Sequence, residues 1–191
     1  MAFEPSVAVF NACILYPFHL RNILVQAAVD RLIEARWTDA INDEWVRNLT
    51  AGAPAIPADR LDTTRRLMNE ALPTAMVSGH EDHIPAVNLP DPNDRHVVGA
   101  GIAAGASVIL TWNLRHFPAK ELKKFGLRRE TPDAFLSGLY DEIPDLMIAF
   151  LANARRNLTR SRVSSLDFID ILRKQRLAEL AKRAQKHVGD L

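Results

Sequence analysis

The sequence predicts an α/β domain with a mainly parallel central sheet, followed by a helical C-terminal extension. Three observations predict it. Two short apolar runs, Ser6 to Phe10 (SVAVF) and Ala106 to Leu110 (ASVIL), have the composition of strands buried on both faces. Between them lie segments whose apolar residues fall at helical spacing, the alternation that sets parallel strands side by side through helical crossovers. From Pro132 onward only the helical pattern remains. At 191 residues the chain has the size of one domain, or of one domain with a small appendage.

Each element has its own signals. Pro5 and the polar Asn11 bound the first run, so strand one ends at Asn11. Pro17 opens a helix with Leu20, Ile23, Leu24, Ala27, Ala28 and Leu32 on one face. Ala35-Arg36-Trp37 suggests a short strand, after which Thr38 can cap a helix where Ile41, Trp45 and Leu49 recur beside Glu44. Gly52, Pro54 and Pro57 break that helix. Residues 58–72 are amphipathic again through Leu61, Leu67, Met68 and Leu72, until Pro73 stops them. Thr74 to Val77 is a second candidate short strand. In Asp91-Pro92-Asn93-Asp94, Asp91 is placed as an N-cap, Pro92 takes the first helical position and Asp94 the capping-box position. The helix runs to about Ala104, Gly105 ends it in a left-handed conformation, and the ASVIL strand finishes at Thr111-Trp112-Asn113. The extension shows Phe135, Leu136 and Leu139, then Leu146 to Leu158, then Phe168 to about Lys186 with Ser164 or Ser165 as cap.

Composition excludes several classes. With 48% hydrophobic and 25% charged residues the chain is neither disordered nor fibrous. It contains no uncharged apolar run of about 18 residues, and its first Lys or Arg is Arg21, so no membrane association, no signal peptide and a cytoplasmic location are expected. Cys13 is the single cysteine, which rules out an internal disulfide. The net charge of +1 is uneven: residues 1–150 carry 14 Lys/Arg against 19 Asp/Glu, residues 151–191 carry 10 against 4. A basic tail beside an acidic body suits a polyanion, although a solvated helix face is the plainer reading of charge alone.

In an open parallel sheet, ligands bind beyond the carboxyl ends of the strands. Asn11 and Asn113 end the two apolar strands, Asp91 and Asp94 enter the helix before the second, and Glu44 lies inward beside Ile41 and Trp45. Carboxylates gathered in this way repel one another and commonly hold a hard cation through oxygen ligands, here Mg²⁺ or Mn²⁺. Each residue also has a plain role: Asp91 and Asp94 as helix caps, Asn11 and Asn113 as turn residues. Their shared position carries the argument.

The ordered segments VFNACILYP (Val9 to Pro17), DEW (Asp43 to Trp45), LPDPNDRHVV (Leu89 to Val98) and VILTWNLRHF (Val108 to Phe117) resemble those of PIN-domain ribonucleases, nearest to VapC-type toxins with a helical C-terminal extension. The resemblance implies a PIN-like three-layer fold, with a nuclease domain at 1–135 and the extension at 136–191. It implies a metal-dependent endoribonuclease toxin of a type II toxin–antitoxin system, with Asn11, Glu44, Asp94 and Asn113 as catalytic positions. Metal ligands would be Asn11, Glu44, Asp91 and Asp94, and RNA contacts Arg95, Arg115 and His116. RNA, a cognate antitoxin protein and a second copy of the chain are the implied partners. Two positions depart from the family. Asn11 stands where the first aspartate belongs, which keeps shape but loses charge, and His116 stands where many members have Asp. The expected consequence is an enzyme silenced at position 11; the alternative is a non-catalytic PIN-like module that binds RNA or protein.

Other motifs carry less. His80-Glu81-Asp82-His83 lacks the spacing of a zinc helix, since Ile84 stands where the second His belongs. Gly99, Gly101 and Gly105 miss a dinucleotide loop by Ala104 and are read as close helix packing. Cys13 is read as a small buried residue, and Trp37, Trp45 and Trp112 mainly as core.

Overall fold

The computed structural model describes residues 3–158 and 162–191. Four strands, β1 (Ser6–Phe10), β2 (Ile33–Arg36), β3 (Val108–Leu110) and β4 (Arg128–Glu130), form one parallel sheet in the order β2-β1-β3-β4. Ala8 aligns with Ala35, Val9 with Ile109, and Ile109 with Arg129. The two apolar runs therefore occupy the centre, as their composition requires. The edges are short and charged: Glu34 pairs with Arg36 at 2.8 Å on β2, and Arg128 with Glu130 at 2.7 Å on β4.

Before β3 the chain folds into α1 (Ala12–Leu15), α2 (Phe18–Val29), α3 (Asp39–Gly52), α4 (Ala58–Ala71) and α5 (Arg95–Ala103), with a 3₁₀ segment at His80–Ala86 leading into the last. The Thr38 hydroxyl accepts the Ile41 N–H at 3.2 Å and so starts α3. Gly105 closes α5 with φ +59°. After β3 come α6 (Ala119–Lys123), β4, α7 (Pro132–Glu142), α8 (Pro144–Arg156), α9 (Ser165–Lys174) and α10 (Ala178–Ala184). One apolar cluster runs from Ala8 to Leu191, joining sheet and extension. Asn22 Nδ2 donates to the Ala154 carbonyl at 3.2 Å and ties α2 to α8.

Four expectations are corrected and one strand was missed. Thr74 to Val77 is not a strand: Pro73–Ala75 makes a 3₁₀ turn, and Trp37 and Met76 form a single bridge beyond β2. Leu67 is 52% exposed rather than core, because Leu61 and Met68 fill the inner face of α4. Asp94 makes no capping-box bond; its carboxylate turns to His116. β4 was not foreseen, since Arg128-Arg129-Glu130 has no apolar residue. The helix expected over Phe168 to Lys186 is two helices separated at Gln175–Leu177.

Candidate active site

β1 and β3 end side by side, with the Asn11 N–H donating to the Leu110 carbonyl at 3.2 Å. Asn11 is the N-cap of α1. Its Oδ1 accepts the Cys13 N–H at 3.3 Å, its Nδ2 donates to Thr111 Oγ1 at 3.3 Å, and the residue is only 2% exposed. Thr111 Oγ1 also accepts the Asn113 N–H at 3.0 Å and lies 3.4 Å from Cys13 Sγ. Burial pushes the Cys13 thiol up, which makes it a poor nucleophile and fits the small-buried-residue reading.

Above this strand end opens a cavity of about 670 Å³ lined by Glu44 from α3, Asp91 and Asp94 from the turn before α5, and Asn113 and His116 from the turn after β3. Four of the five residues expected to meet do so. Asn11 does not line the cavity; its amide is consumed beneath it by the α1 cap and Thr111. Of the candidate RNA contacts, His116 lines the cavity, whereas Arg115 is exposed beyond Asn113 and Arg95 begins α5, neither lining it. Sequence reasoning did not place Asp43 and Arg47 here, yet both line it, as does His96, which the sequence offered, with His19, only as a minor RNA contact. Arg47 follows Glu44 by three residues on one helix, the spacing that shares a face, so that signal was present.

Burial pushes the Asp94 carboxyl up, its bond to His116 Nδ1 at 2.7 Å opposes the rise, and the charges of Asp91 and Glu44 add to it. His96 Nε2 lies 3.6 Å from Glu44 Oε2. One Asp91 oxygen accepts the Asn93 N–H at 2.9 Å, which orients the carboxylate. Ligand atoms of Asp91, Asp94 and His116 lie within 4.8 Å of one another. Carboxylate oxygens with an imidazole, and Glu44 and Asn113 on the same wall, are a donor set that could hold a divalent cation such as Mg²⁺ or Mn²⁺.

The PIN domain profile matches residues 7–115, more than half of the chain. This chain belongs to the PIN domain family. Its PIN region runs from β1 into the turn after β3, so every cavity residue except His116 falls inside it. A second profile, the VapC50 C-terminal domain, matches residues 132–186, which is α7 through α10 and the start of the last turn. A Mycobacterium tuberculosis (strain ATCC 25618 / H37Rv) protein named "Putative ribonuclease VapC50" is 38% identical over 86 residues, 44% of this chain and 50% of that protein. The chain thus spans about half the length of this curated relative. No solved structure matches the chain.

Proposed function

We propose that this PIN protein is a metal-dependent endoribonuclease toxin of the VapC type, hydrolysing RNA phosphodiester bonds, with activity lowered by asparagine at position 11. The observation that supports it best is the convergence of Glu44, Asp91, Asp94 and Asn113, from three separate stretches, on one cavity at the carboxyl end of a parallel sheet. Glu44, Asp91, Asp94 and His116 would hold Mg²⁺ or Mn²⁺, which supplies a lowered water pKa and neutralisation of phosphate charge when bound. His116, donating from Nδ1, fixes the Asp94 carboxylate, and His96 stands beside Glu44 with Nε2 3.6 Å from Oε2, too long for a hydrogen bond. The Asn113 amide offers a donor and an acceptor to a phosphate oxygen. Arg47 on the cavity wall, with Arg95 and Arg115 near it, counters the phosphate charge that the acidic wall repels. With Asn11 neutral, the site has one negative charge fewer, and cleavage is expected about 10²-fold below that of an aspartate form.

The same reading gives RNA as substrate, a cognate antitoxin that covers the acidic cavity, a homodimer and a cytoplasmic setting. It divides the chain into a nuclease part, residues 1–135, and an extension, residues 136–191, with the boundary inside α7. Among the described residues no helix is long and apolar enough to cross a membrane. The test is Asn11→Asp incubated with total RNA and Mg²⁺, with cut sites mapped. Cleavage that EDTA or Glu44→Gln abolishes supports the proposal, and intact RNA rejects it. Intact RNA would favour a non-catalytic binding module, a reading that the internally satisfied Asn11 amide supports.

A further inference from the structure

We propose that Arg176, carried by the C-terminal extension, grips an RNA phosphate and makes the extension part of the substrate-binding surface. The proposal rests on the ribonuclease reading above and gives the basic tail a place in it. Trp112 lies between Thr111, at the end of β3, and Asn113, which lines the acidic cavity. The Arg176 guanidinium sits over the Trp112 indole, with Cζ 4.3 Å from the ring centroid. It is exposed and forms no ion pair among the described residues. A guanidinium resting over an aromatic ring still has N–H groups free to bond a phosphate in two parallel lines.

Two neighbouring arginines are spent within the extension, Arg173 on Asp170 at 2.6 Å and Arg183 on Asp141 at 2.7 Å, while Lys174 is exposed with no ion pair and no aromatic ring beneath it among the described residues. Arg176 is held at the sheet end by the joint between α9 and α10. Asp133, at the start of α7 and just beyond β4, accepts the Glu179 and Leu180 N–H groups at 3.1 and 3.0 Å. At the joint the Leu177 N–H reaches the Leu172 carbonyl and the Arg176 N–H the Arg173 carbonyl, both at 3.0 Å, with Arg176 at φ +63°. This left-handed closing turn is one that glycine takes at no steric cost and arginine does not. Arg31 closes α2 in a similar turn with φ +59° and no aromatic ring under it, so the turn by itself marks nothing. The stack on the strand end beside Asn113 is what distinguishes Arg176.

The experiment titrates the full chain against a fluorescein-labelled single-stranded RNA oligonucleotide, read by anisotropy in EDTA so that no cleavage occurs. Arg176→Gly should bind about 5- to 20-fold more weakly, and its slope of log affinity against log salt should shrink by about 0.7. Its Tm should not fall, because glycine relieves the left-handed turn. Arg176→Lys should keep the salt slope while losing part of the affinity, since an ammonium cannot bond in two parallel lines. Wild-type affinity and salt slope in Arg176→Gly would overturn the proposal and leave the ribonuclease reading intact. A wild-type chain that binds no RNA would overturn that reading and the proposal with it.

Discussion

Thr111 Oγ1 accepts from both Asn11 and Asn113, so its own proton points at Cys13 Sγ. An aspartate at position 11 can still cap α1, but it has no proton to offer and would turn the Thr111 hydroxyl toward itself. It would also place an unpaired charge in a nearly closed position. Asn11→Asp is therefore expected to melt below the wild type in EDTA and to recover more Tm than the wild type when Mg²⁺ is added, as scanning fluorimetry would show. Asp94 gives a pH prediction. Its carboxyl is raised chiefly by burial, and a carboxyl with a raised folded pKa favours the fold while protonated and loses that contribution as pH rises through the raised value. Asp94→Asn in EDTA should thus match the wild type below about pH 4 and grow more stable than it above that, in urea titrations at successive pH values. Asp91, Asp94 and Asn113 were legible because each marks a helix beginning or a strand end, places where sequence declares geometry, and Glu44 because it shares the inner side of α3 with Ile41 and Trp45. The burial of Asn11 was not, since whether an amide faces a cavity or a neighbouring threonine depends on a strand about a hundred residues away.

Elements that announce themselves by apolar period were read correctly, and those defined by a neighbour were missed. β4 has no hydrophobic pattern; it exists because β3 offers a free edge, where the Thr111 N–H finds the Glu130 carbonyl at 3.0 Å. The break between α9 and α10 was hidden for a related reason: an arginine occupies the left-handed position where a glycine would have signalled the stop. The glycines of α5 were legible as packing residues. A Cβ at Gly99 would lie 2.7 Å from the His80 carbonyl oxygen, and one at Gly101 would lie 2.9 Å from Leu127 Cδ1. The first obstacle is backbone and the second a side-chain tip. Gly99→Ala should therefore cost about 1–3 kcal/mol, and Gly101→Ala less, in paired denaturant titrations.

Over the whole molecule, the sheet and the extension share one apolar cluster, in which Phe135, Leu136, Phe150, Leu151 and Phe168 lie buried with Val9, Leu24 and Ile109. The full chain should accordingly unfold in a single calorimetric transition whose van't Hoff and calorimetric enthalpies agree. A chain ending at Thr131 would leave its partners to that cluster bare and should fail to give a cooperative melt. The sheet's two borders have a further consequence. Each is only three or four residues long and carries an acid beside a base, so another extended chain laying itself alongside would meet full charges where a growing fibril needs hydrocarbon. Copies or partners that join this protein gain little from its sheet borders, and its backbone ribbons are guarded against one another.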